Sequence, residues 1–137
     1  MAKQAIKTNA APAAIGPYSQ AVSCDIPGCM PPSRLIFLSG QIGIDPASQE
    51  LVTGGVAPQA QQIFKNIAAI LRAAGSDLRQ VVKVTLFLND MGDFKTVNAI
   101  YAEQFQEPYP ARSAVAVKGL PLGAEIEIEA LAISSAG

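Results

Sequence analysis

Histidine is absent from the 137 residues. That removes the commonest general base, the usual zinc ligand and every His-dependent catalytic triad. Cysteine is scarce. Cys24 and Cys29 are the only two, with no other soft ligand near them in the sequence. A zinc site needs about four ligands, so this pair does not make one. Charge is also sparse, at 15%, and nearly balanced, with a formal net charge of -1. Such a balance gives no electrostatic reason to bind nucleic acid or an anionic membrane. No apolar run approaches the ~20 residues that a membrane span needs. The segment Met1 to Asn9 carries lysines with no apolar run after them, so no secretory signal is expected and both thiols should be reduced. These readings predict a cytoplasmic protein. Any chemistry must come from Arg, Glu, Asp, Lys, Tyr, Ser or backbone groups.

Apolar residues are abundant, at 50% of the chain. A chain of this length favours one compact domain, residues 1–137, able to fold without staples. Its low charge predicts that some apolar surface is buried between subunits. The N-terminal segment, broken by Pro12, Gly16 and Pro17, reads as extended loop, followed by a short strand from Tyr18 to Val22. Cys24 to Ser33, with Pro27, Gly28, Pro31 and Pro32, reads as a loop. Arg34 to Ser39 is a compact apolar strand that Gly40 ends or opens to another backbone. Asp45-Pro46 marks a turn, and a short strand is expected over Glu50 to Thr53.

Val56, Ala60, Ile63, Ile67, Ile70 and Ala74 recur at steps of four and three, which predicts a helix stopped by Gly75. Val81 to Leu88 is apolar or β-branched almost throughout, as for a strand covered on both faces. Asp90 and Asp93 are expected to cap a second helix with Phe94, Val97, Tyr101 and Phe105 along one side. Arg112 to Val117 and Glu125 to Ile133 complete the strands. In the last one, Ile126 and Ile128 face one way and Glu125, Glu127 and Glu129 the other. Three like charges on one face repel, and a cation such as Arg112 would relieve them. The order of elements predicts an α+β layer, a mixed sheet with two helices on one face. Its other face would be buried by identical neighbours.

Four separated segments carry a resemblance. Pro110 to Ala130 (PARSAVAVKGLPLGAEIEIEA), Ala14 to Val22 (AIGPYSQAV), Leu38 to Pro46 (LSGQIGIDP), and Asn66 with Thr96 to Tyr101 (TVNAIY) resemble the RidA/YjgF family in order and spacing. That resemblance implies a chorismate-mutase-like fold of the bacillary type. It implies a homotrimer with an active site in each cleft between subunits, and cofactor-free hydrolysis of enamines and imines such as 2-aminoacrylate, 2-iminopropanoate and 2-iminobutanoate to 2-keto acids and ammonium.

Onto this chain the resemblance carries Arg112 as a two-pronged grip on the substrate carboxylate, a task that suits a planar guanidinium. It carries Glu127 as the acid/base, although strand alternation alone leaves Glu125, Glu127 and Glu129 equivalent. Tyr18 is expected to orient the carboxylate or water, Ser39 and Gly40 to let backbone approach the ligand, and Asn98 to orient its neighbours. Two departures stand out. Cys24 to Ser33 is longer than the family's usual turn. Ala114 stands where many bacterial deaminases of the family carry Cys, so it can act through its backbone only, which bears on rate and substrate range. A non-catalytic, carboxylate-binding protein on the same scaffold is the alternative reading. Ribonuclease activity, the third, is disfavoured by the charge balance and the lack of His.

Overall fold

A computed structural model describes residues 3–135. The readings of Met1, Ala2, Ala136 and Gly137 lie outside the described residues. Among the described residues eight strands and two α-helices follow one another: β1 (Lys3–Ile6), β2 (Ala21–Asp25), β3 (Ser33–Gln41), β4 (Ile44–Asp45), β5 (Glu50–Leu51), α1 (Val56–Ala73), β6 (Val81–Leu88), α2 (Phe94–Gln104), β7 (Ala111–Ala116) and β8 (Ile126–Ser135). Six strands form one sheet in the order β1-β2-β3-β8-β6-β7, and β4 pairs with β5 separately. The β6–β7 pair is parallel and the other pairs of the large sheet are antiparallel. The sheet is therefore mixed, with the two helices on one face, as the pattern of elements predicted.

The core lies between sheet and helices. The expected stripe of α1 is buried through Ala60, Ile63, Ile67 and Ile70, with Phe64 and Leu71 beside it. It meets Ile36 and Leu38 of β3, Val84, Leu86 and Leu88 of β6, and Ile126 and Ile128 of β8. Buried amides tie the helix to its surroundings. Asn66 Nδ2 donates to the Ile44 carbonyl at 2.9 Å and its Oδ1 accepts from Gln62. Gln59 Oε1 accepts the Glu125 N–H at 2.9 Å. Gly43 passes so close to α1 that a Cβ there would lie 2.8 Å from Gln59 Cα.

Several sequence-based boundaries are corrected. The segment before Pro12 is not all loop, because Lys3–Ile6 pairs with β2. The short strand expected over Tyr18 to Val22 instead runs from Ala21 to Asp25. Pro17 offers no N–H, the Tyr18 N–H turns back to the Gly16 carbonyl, and the buried Gln20 amide holds the carbonyls of Thr8 and Pro12, so this stretch is a knot of local bonds. Cys24 belongs to β2 rather than to the loop, opposite Leu35. The strand after Arg34 runs through Gly40 to Gln41, with its register broken between Leu38 and Gln41. Val81 to Leu88 is not covered on both faces. Its buried residues alternate with half-buried Lys83, Thr85 and Phe87, since the helices cover one side only. Asp90 caps a short 3-10 turn at Met91–Asp93 by accepting the Gly92 N–H, while Asp93 makes no side-chain cap.

Candidate functional site

Face assignment decides the geometry of the site. Residues directly opposite in a ladder point to the same side of a sheet. Arg112 pairs with Val84, which is buried under the helices, so its side chain leaves the helix-covered face at the sheet edge. There it meets α2. Arg112 Nη1 donates to Asn98 Oδ1 at 2.7 Å. The guanidinium carbon stands 4.7 Å from the Tyr101 ring centroid and 5.4 Å from that of Phe94. A hollow of about 450 Å³ opens here, lined by Arg112, Asn98, Tyr101, Ala102, Tyr109 and Pro110. Ala114, opposite Leu86, lies on the same face two residues further along β7 and is half-buried.

Glu127 belongs to the other face. Its neighbours Ile126 and Ile128 are fully buried against the helices, and its partner across the sheet is Phe87. The carboxylate lies against Gly40, where a Cβ would stand 2.8 Å from Glu127 Cδ. Burial raises the Glu127 pKa above the usual carboxylate value, and the like charge of Glu129 adds to the shift. Gly40 and Tyr18 share a cleft of about 130 Å³ with Ile15 and Leu122 on its rim. Tyr18 is 49% exposed.

The structure also separates the three glutamates. Glu125 precedes β8 and its Oε2 is 3.6 Å from where a Gly55 Cβ would be, beside the start of α1. Glu127 alone packs on Gly40.

Within one chain the expected site residues thus form two groups. Arg112, Asn98 and Ala114 belong to the helix-covered face at the β7 edge. Glu127, Gly40 and Tyr18 lie on and around the open face. The expected pairing of Arg112 with the glutamate row does not occur in the single chain, because the side chains leave opposite faces of the sheet. Ser39 is committed elsewhere. Its hydroxyl donates to the Ser19 carbonyl at 2.6 Å and its N–H to the Gln20 carbonyl, which fixes the segment that carries Tyr18. The sequence aligns Phe94 and Tyr101 along one side of α2 with Val97 and Phe105, and the structure does pack them on the core, but the sequence reading misses their contact with Arg112. The signal was present in the spacing, since Phe94, Asn98 and Tyr101 recur at steps of four and three on one side of α2.

Comparison with known proteins settles the family. The family model described as Endoribonuclease L-PSP matches residues 8–134. The chain belongs to the RidA/YjgF family. The human 2-iminobutanoate/2-iminopropanoate deaminase is 53% identical over 96% of this chain and 90% of its own length. The mouse protein of the same name is 52% identical over 96% and 91%. The crystal structure of RidA from an Antarctic Psychrobacter matches with a TM-score of 0.83 and 43% identity, covering 94% of this chain and 98% of that one. The RidA/YjgF relationship accounts for the mixed sheet and its two helices.

Proposed function

We propose that this protein is a cofactor-free hydrolase of short 2-imino and 2-enamino acids, yielding 2-keto acids and ammonium. The observation that carries the proposal is the guanidinium of Arg112, held by Asn98 at the mouth of a hollow and available to a carboxylate. Similarity above 50% to curated imine deaminases supplies the reaction type.

The chemistry requires little machinery. The C=N carbon of an imino acid is already electrophilic. Arg112 holds the carboxylate by two parallel hydrogen bonds and fixes that carbon in place. With the substrate as its iminium, water's oxygen bonds to the carbon while Glu127 accepts one water proton and the C=N electron pair moves to nitrogen, giving a neutral carbinolamine. Glu127 returns that proton to nitrogen, the C–N bond breaks as the hydroxyl oxygen forms C=O, and the hydroxyl proton goes to the departing ammonia, leaving the keto acid and ammonium. A carboxyl with a raised pKa suits both directions of transfer. The Tyr18 hydroxyl orients water or substrate beside Gly40.

A site with both Arg112 and Glu127 needs two copies of the chain, since one copy sends them to opposite faces. We therefore propose a homotrimer with sites between subunits. The open sheet face supports this assembly. It presents Phe37 at 44%, Val115 at 44% and Ile133 at 38% exposure, an apolar surface that a partner would cover. Among the described residues no helix is long and apolar enough to cross a membrane. A cytoplasmic location, a single domain and a small-molecule partner in place of nucleic acid complete the reading, in line with the net charge of -1.

The test is a coupled assay. Imino acids generated in situ by an amino-acid oxidase or a Ser/Thr dehydratase should decay to keto acid faster with the protein present. Arg112→Ala should abolish the gain. Tight binding of 2-keto acids with no effect on imine lifetime would instead establish the non-catalytic reading.

A further inference from the structure

The rings beneath Arg112 have no part in the reaction just described. Arginine is long and flexible, and Arg112 is exposed on an edge strand. Such a side chain ordinarily samples many rotamers. Among the described residues no carboxylate lies within ion-pair distance of it. What meets it is the face of α2 that carries Phe94, Asn98 and Tyr101. The Tyr101 ring is itself fixed. It is 6% exposed, packs edge-on to Phe64 at 6.2 Å and lies against Phe105 at 4.6 Å.

Resting on the deaminase reading, we propose that Phe94 and Tyr101 are positioning residues that form an aromatic bed for Arg112 and set the affinity of the site for carboxylates. A cation–π contact uses the face of the guanidinium, whereas hydrogen bonds use its edge. The rings therefore hold the group without consuming a donor. Asn98 takes one of the five N–H groups, and the rest of the edge remains for the ligand. A carboxylate partner in place of the rings would hold the arginine equally well but neutralise it. The bed orders the cation and leaves its charge for the substrate.

The experiment compares the affinities of 2-oxobutanoate and its neutral carboxamide, read as inhibition constants against an imino acid. Phe94→Leu should weaken the carboxylate about three- to tenfold and leave the carboxamide within twofold. Phe94→Tyr and Tyr101→Phe keep a ring and should preserve the wild-type ratio of the two constants. A folded Phe94→Leu protein with an unchanged ratio would overturn the proposal, as would equal weakening of both ligands. Tyr101 is buried, and its removal risks the fold, so a second measurement uses the wild-type protein. The Arg112 Hδ signals, assigned by their loss in Arg112→Ala, should be shifted upfield by the ring currents. Their resonance at random-coil positions would also overturn it. The underlying reading fails separately, if Arg112→Ala retains full deaminase activity.

Discussion

Arg112 and Glu127 leave opposite faces of one sheet, Arg112 opposite Val84 and Glu127 opposite Phe87, three residues further along β6. A single chain cannot bring both to one substrate without tearing the sheet. The prediction is complementation between inactive variants. Arg112→Ala and Glu127→Gln should each be inactive alone. Refolded together at equal amounts, they should recover about one quarter of wild-type activity, the statistical share of intact interfaces in a ring whose sites each draw on two neighbours. No recovery from co-assembled mixtures would show that the two groups do not meet across an interface.

The raised pKa of Glu127 fixes a pH dependence. A carboxyl whose pKa is higher folded than unfolded binds more protons in the native state between the two values. Its contribution to stability is full below the unfolded pKa and is lost as pH rises through the folded one. Wild-type stability should therefore fall relative to Glu127→Gln as pH rises above the ordinary carboxylate range, measured by denaturant titration at several pH values. Glu129→Gln removes the neighbouring like charge. It should move the acid limb of the kcat/KM profile to lower pH, and an unmoved limb would discount that charge.

Gly40 is a matter of space. A methyl group there would stand 2.8 Å from Glu127 Cδ and 2.9 Å from Oε2, at the movable end of that side chain. Gly40→Ala should displace the carboxylate rather than the backbone. The expected outcome is a loss of about 10- to 100-fold in kcat/KM with a melting temperature close to that of the wild type.

Gly43 behaves oppositely, since its would-be Cβ meets the backbone of α1 at Gln59 Cα, 2.8 Å away. A helix backbone cannot step aside. Gly43→Ala should cost about 1–3 kcal/mol of stability, as overpacking does, read as a lower denaturation midpoint.

The open face predicts an assembly variant. Phe37→Asp places a charge on the apolar surface between β2 and β8 without touching the helix-side core. It should lower the mass in sedimentation and abolish deaminase activity together. Retained activity in a monomer would refute the shared site.

Periodicity determined much of this fold from the sequence alone. The α1 stripe and the alternation of Ile126 and Ile128 with glutamates are local patterns that report which face of an element is apolar, whereas the near-continuous run Val81 to Leu88 reported a strand but not that one of its faces is open. The motif around Arg112 and the family register at Glu127 offered candidate site residues for the same reason, since residue types sit in sequence order. Only the tertiary structure decided what those groups face. Ladder pairing sent Arg112 to one side of the sheet and Glu127 to the other, α2 brought Phe94 and Tyr101 under the guanidinium, and Gly40 singled out one glutamate of three. Contacts of this kind join residues far apart in the chain, and their partners are chosen by strand order and helix placement, which no local spacing encodes. The N-terminal boundaries were lost likewise, because the Gln20 amide that organises them bonds back to Thr8 and Pro12 through a turn without periodicity.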